Sequence, residues 1–129
     1  MITNELNSVA EFHNAFRIAM TDKPTIDLPP DIIKLRFNLM KEENEEYLEA
    51  AENNDMIEVA DALGDMLYIL CGTILSHGMQ HKIQEVFEEI HRSNMSKLGE
   101  DGQPIYREDG KVLKGPNYFK PNIKDILEK

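Results

Sequence analysis

Seven carboxylates stand at Glu42, Glu43, Glu45, Glu46, Glu58, Asp61 and Asp65, and several occupy positions where the surrounding pattern calls for apolar side chains. At about 3.6 residues per turn, Leu39, Glu43, Glu46 and Ala50 form one helical stripe that continues the apolar line of Ile32 and Leu35. Glu43 and Glu46 therefore ride on a face that should turn inward. In the next apolar stretch Glu58, Asp61 and Asp65 share a face with Ala62 and Ile69, and Asp65 is the only charge between Ala62 and Leu75. Burying unpaired carboxylates costs on the order of several kcal/mol each. Such groups must take up protons or gather around a cation, and clustered oxygen donors suit a hard divalent ion, Mg²⁺ with Mn²⁺ as a substitute.

The spacing supports that chemistry. Glu43-x-x-Glu46 places two carboxylates within reach of one ion, and Glu58-x-x-Asp61 followed by Asp65 does the same on the following helix. An antiparallel pair of these helices would set the two groups opposite each other. Mg²⁺ in such surroundings keeps several waters and completes its shell with substrate phosphates; with two ions, one activates water while both stabilise charge on the displaced phosphate. Glu45 and Glu49, off the stripe, are read as solvated surface.

The elements that must position these groups are helical. The pattern predicts a first helix from about Asn7 to Met20 with Val9, Phe12, Phe16 and Met20 buried. Lys23 to Pro30, with three prolines, is an extended connector. A second helix is predicted from Asp31 to Asn53, a third from Met56 to His77-Gly78, and a fourth from Met79 to Lys97 with Ile83, Val86, Phe87 and Ile90 on one side. Gly99-Glu100-Asp101-Gly102 is a helix stop. Ile105-Tyr106-Arg107 and Lys111-Val112-Leu113 flank Asp109-Gly110 as a short hairpin, and Gly115 to Lys129 forms an arm. The third helix is apolar nearly all round beyond Asp61, which in so short a chain predicts burial against a second copy, as a homodimer or homotetramer.

Composition narrows the field further. With 129 residues the chain is expected to form one domain, residues 1–129. Its 14 basic and 24 acidic residues give a net charge of −10, which argues against nucleic acid as a partner and leaves a small polyanion only if cations neutralise it. The single Cys71 excludes an intrachain disulfide and reads as a small buried hydrophobe. Asp65 interrupts the longest apolar run and Met1 to Ser8 lacks a signal-peptide profile, so no membrane association and a cytoplasmic location are expected.

Taken in order, Phe12-His13, Leu35-Arg36, Glu42-Glu43-x-x-Glu46, Asp65-Met66-Leu67-Tyr68, His91-Arg92-Ser93-Asn94-Met95-Ser96-Lys97 and Asp109-Gly110-Lys111-x-Leu113-Lys114 resemble the all-α nucleoside triphosphate pyrophosphohydrolases, the MazG-like group that includes dimeric dUTPases, dCTP pyrophosphatases and phosphoribosyl-ATP pyrophosphohydrolase. The resemblance implies an all-α bundle of four to five helices, assembled as a homo-oligomer. It also implies Mg²⁺-dependent cleavage of a nucleoside triphosphate between the α and β phosphates. Glu43, Glu46, Asp65 and Glu58 would be catalytic, and Glu42, Glu43, Glu46, Glu58, Asp61 and Asp65 would be metal ligands. The second acidic motif of that group is ExxD. If its Asp is Asp65, the expected Glu is replaced by Ala62; Glu58-x-x-Asp61 satisfies the same pattern one turn earlier. The pair Asp61 and Asp65, with Glu58 as supporting ligand or general base, stands beside Glu58/Asp61 as the alternative. Lys97 and Asn94 would contact phosphate and sugar or base, Lys111 and Lys114 would close over phosphates, and Arg36 would pair with phosphate or with Glu43. His13 is a candidate substrate contact, with a core histidine as its plainer reading, and Phe16 and Tyr68 are read as core. The substrate is expected to be a deoxynucleotide such as dUTP or dCTP, with phosphoribosyl-ATP the second enzyme reading. A di-iron carboxylate bundle, prompted by Glu88-x-x-His91, lacks a second ExxH pair; a metal-binding helical dimerisation module without catalysis is the remaining alternative.

Overall fold

A computed structural model describes residues 2–129 and contains five helices: α1 (Thr3–Phe16), α2 (Pro30–Glu52), α3 (Met56–Ser76), α4 (Ile83–Met95) and α5 (Ile123–Glu128). The all-α expectation holds. The chain divides into two compact units, one ending at His81 and the other spanning Lys82–Lys129.

In the first unit α3 packs on both α1 and α2. Pro30 supplies a preset φ at the start of α2, where its missing N–H costs nothing. The Asp55 side chain accepts the Glu58 amide at 3.2 Å and caps α3. The core consists of Leu6, Val9, Ala50, Ala62, Cys71, Ile74 and Leu75. The connector between α1 and α2 lies against the end of α3: the Ser76 hydroxyl donates to the Ala19 carbonyl, the Gln80 amide to that of Thr21, and the Thr25 N–H to that of His77.

Four expectations are corrected in this unit. α1 begins at Thr3 and ends at Phe16, where Arg17 turns left-handed at φ 57°, so Met20 lies beyond the helix. The buried stripe of α1 is Leu6, Val9 and His13, one position round from the predicted one, and Phe12 and Phe16 are exposed. On α2 the inward residue is Arg36, 8% exposed, while Leu35 is 48% exposed. Lastly, α3 is long and apolar enough, by length and composition, to cross a membrane despite Asp65; a core helix meets the same test, and α3 packs on two neighbours. Its burial is concentrated near its C-terminal end, from Cys71 to Ser76, whereas Met56, Ile57, Leu63, Leu67 and Leu70 are exposed.

The second unit holds α4, the hairpin and α5. α4 is shorter than predicted: Gln80–Lys82 form turns before it and it ends at Met95. The hairpin is reduced to a single antiparallel bridge between Tyr106 and Val112, flanked by Arg107 N–H to Lys111 carbonyl (2.8 Å) and Leu113 N–H to Ile105 carbonyl (2.8 Å). The arm is tied along α4. Ser93, buried, donates to the Phe119 carbonyl at 2.8 Å, the Asn122 N–H donates to Glu89 at 2.7 Å, and Lys129 pairs with Glu85 at 2.7 Å. The Arg92 guanidinium lies 4.4 Å from the Phe119 ring centre.

Candidate functional site

α2 and α3 form an antiparallel hairpin whose turn, Asn53–Asp55, is fixed by Asp55 N–H to Ala50 carbonyl at 2.9 Å. Along the hairpin the carboxylates of the two helices act on one another. Glu43 is half-buried, and its Oε2 is enclosed without a hydrogen-bond partner. Its pKa is pushed from 4.5 to about 7, first by desolvation, then by contact with Glu46, then by the charges of Asp65 and Asp61. Asp65, also half-buried, is raised by desolvation and by the charges of Asp61 and Glu46. The groups facing Glu43 are thus Glu46 on its own helix and Asp61 and Asp65 on the next. Glu42 and Glu58 are exposed and do not contribute to that shift. Glu58 lines an adjoining cavity of about 260 Å³ together with Glu46, Glu49, Ala50, Asn53 and Asp55.

Among the described residues no three or more His, Cys, Asp or Glu side chains are drawn tightly enough around one point to hold an ion as they stand. The donor chemistry nevertheless fits Mg²⁺. That ion needs only one or two protein carboxylates and fills its remaining positions with water and phosphate. A buried, unpartnered carboxylate oxygen amid three further carboxylates is an arrangement that a hard cation relieves.

Arg36 and His13 take other places. The Arg36 guanidinium crosses to α3, donating from Nη2 to the Ile69 carbonyl at 2.8 Å and from Nε to the Thr73 hydroxyl at 3.1 Å; Thr73 itself donates to Ile69 at 2.9 Å. It pairs with neither Glu43 nor open solvent. His13 is 2% exposed, its Nδ1 has no partner, and burial together with the neighbouring Arg36 charge lowers its pKa, favouring the neutral ring. The core-histidine reading describes it. Phe16 and Tyr68, expected in the core, are exposed: Phe12 stacks on Phe16 at 4.4 Å and meets Tyr68 edge-on at 5.6 Å.

The remaining substrate-contact candidates lie in the second unit. Asn94 is exposed and Lys97 half-buried at the end of α4, and the Lys97 carbonyl accepts the Gly115 N–H at 2.8 Å. That contact closes residues 98–114 into a loop, bringing the backbone of Lys97 beside that of Gly115, next to Lys114. The exposed Lys114 Nζ lies 4.7 Å from the Tyr118 ring, and the Lys111 N–H is held by Asp109. A Cβ on Gly115 would strike the Leu98 carbonyl and stand 2.8 Å from the Lys97 oxygen, so only glycine allows the crossing. Gly115→Ala is expected to cost about 1–3 kcal/mol and to speed limited proteolysis within 99–114 several-fold. Unchanged cleavage would mean that the loop does not depend on this contact.

Sequence reasoning passed over Gly72 and Thr73. The available signal was a glycine in the middle of an apolar helix, where it costs about 1 kcal/mol relative to alanine unless something approaches closely.

The family model for phosphoribosyl-ATP pyrophosphohydrolase matches residues 9–94. An uncharacterised protein of Acanthamoeba polyphaga mimivirus is 27% identical over 122 residues, covering 92% of this chain; the chain spans 45% of that protein's length. Among solved structures, a proposed NTP pyrophosphohydrolase from Exiguobacterium sp. 255-15 superposes with a TM-score of 0.53 at 25% identity, over 97% of this chain and 94% of the other.

Proposed function

The chain belongs to the phosphoribosyl-ATP pyrophosphohydrolase family, and on that premise we propose that it hydrolyses a nucleoside triphosphate to the monophosphate and pyrophosphate at the acidic α2–α3 hairpin. The observation that carries this reading is Glu43, half-buried with an unpartnered oxygen and facing Glu46, Asp61 and Asp65. In this reading those four carboxylates hold Mg²⁺, which when bound supplies the positive charge that a triphosphate needs near an acidic surface and lowers the pKa of the attacking water. Glu58, exposed one turn nearer the α2–α3 turn, takes a proton from water or supports the ligands. Within the second unit, Lys97, Asn94, Lys111 and Lys114 are the candidate groups for phosphate and sugar. The exposed rings of Phe12, Phe16 and Tyr68 offer a stacking surface for a base. Arg36 and His13 do not touch substrate.

Phosphoribosyl-ATP is the second substrate reading, favoured by the family whose model the chain matches. The exposed apolar residues along α3 support assembly with a second copy of the chain.

The test is pyrophosphate release from dUTP, dCTP, the remaining nucleoside triphosphates and phosphoribosyl-ATP, each with Mg²⁺ and with EDTA. Release of pyrophosphate with a monophosphate product, abolished by EDTA, is expected for one substrate class. Nucleotide affinity equal in EDTA and in Mg²⁺ would overturn the metal-bridged reading, because apo carboxylates repel a triphosphate.

A further inference from the structure

We propose that Arg36 is a positioning residue for the acidic hairpin, clamping the open half of α2 against α3 so that mutually repelling carboxylates stay face to face. The inference rests on the metal-binding reading above. The turn at Asn53–Asp55 pins one end of the hairpin. Glu43 lies ten residues before Asn53 and Asp65 ten residues after Asp55, about 15 Å along each helix. Nothing local to the turn opposes splaying at that distance, and the charges of Glu43, Glu46, Asp61 and Asp65 favour it. Arg36, seven residues before Glu43, supplies a second pin through two hydrogen bonds to α3, at Ile69 and Thr73, four and eight residues beyond Asp65. The acidic group lies between the two pins. Gly72 makes the clamp possible: a Cβ there would collide with Arg36 Nη2 and stand 2.8 Å from His13 Nε2, so α3 is notched where the guanidinium crosses. The planar fork of Arg reaches the hydroxyl and the carbonyl together, which the single ammonium of Lys does not.

The experiment compares the parent protein with Arg36→Lys, Gly72→Ala and the double variant, reading Mn²⁺ affinity by EPR, melting in EDTA, and amide hydrogen exchange in EDTA. Arg36→Lys and Gly72→Ala are each expected to weaken Mn²⁺ binding about tenfold or more while still melting cooperatively, and the double variant no further than the worse single, since both remove one clamp. In EDTA, amides near Glu43–Glu46 and Asp61–Asp65 should exchange faster in Arg36→Lys than those beside the turn. A folded Arg36→Lys variant with parental Mn²⁺ affinity and a lowered melting temperature would overturn the proposal, leaving Arg36 a purely stabilising residue. If Arg36→Lys fails to fold, Thr73→Val, which removes the Nε acceptor at nearly constant volume, is read in the same way. If the parent binds no Mn²⁺, the metal reading fails, and the exchange data alone decide the clamp: unaltered local exchange overturns it.

Discussion

Glu43→Gln is expected to lose at least about 100-fold in Mg²⁺-dependent turnover while melting, in EDTA, no lower than the parent protein and by expectation higher. Disturbing even the groups that hold a metal ligand in place costs roughly 10–100-fold, and a carboxylate replaced by a neutral amide loses the charge on which the cation depends. The stability prediction runs the other way. Glu43 has an enclosed oxygen without a partner and stands against Glu46, Asp61 and Asp65, so its ionised form is unfavourable in the metal-free fold. An amide of the same shape removes that repulsion. Glu45→Gln is the control: Glu45 lies one turn after Lys41 on exposed surface, 3.9 Å from its ammonium, and such a pair contributes about 0–1 kcal/mol. Turnover by coupled pyrophosphate detection and melting by calorimetry check both halves. Parental activity in Glu43→Gln would remove it from the ligand set; a large drop in metal-free stability would make its role structural.

What the sequence disclosed, and what it did not, follows from the range of the interactions involved. Helix positions were legible because caps, prolines and apolar periodicity are local: the Asp55 cap and the Pro30 start act within a turn of themselves. The misfit of Glu43 on its stripe was legible for the same reason. The rotation of α1 by one position was not, because Val9 belongs to both candidate stripes and the choice between Phe12 and His13 is made by Arg36 and Gly72 on other helices. The exchange of Leu35 for Arg36 on the inner face of α2 has the same origin: a guanidinium becomes an acceptable buried group only when the Ile69 carbonyl and Thr73 hydroxyl accept its hydrogen bonds. The second acidic motif is the converse case. Glu58-x-x-Asp61 keeps the ExxD spacing and Asp61/Asp65 does not, yet the α3 charges that raise Glu43 are those of Asp65 and Asp61.

That arrangement makes stability and metal binding respond to pH in opposite directions. Glu43 is raised from 4.5 to about 7, so the folded state favours its protonated form. The resulting stabilisation is fully present below about pH 4.5 and is lost as pH rises through 7. Asp65, also raised, adds in the same direction. Glu85, Glu89 and Asp109 act oppositely: contacts with Lys129, with the Asn122 N–H and Arg92, and with Arg107 hold them below the usual carboxylate range, so their contributions exist above that range and fade on acidification. Asp109 is exposed and Glu85 and Glu89 are half-buried, and all three contributions fade only on acidification below the usual carboxylate range. His13, lowered from 6.5 by burial, opposes this trend as pH rises toward 6.5, so in EDTA the melting temperature should fall between about pH 6.5 and pH 8. With saturating Mg²⁺ the trend should flatten or reverse, because the ion binds the deprotonated carboxylates and must displace the Glu43 proton below pH 7. For one displaced proton, apparent Mg²⁺ affinity should rise about tenfold per pH unit up to 7 and level off above it. Calorimetric titrations in two buffers of different ionisation enthalpy would count that proton directly. Affinity independent of pH between 5.5 and 7 would mean that the ion does not bind at Glu43, and the search for its ligands would move toward Glu58 and the neighbouring cavity.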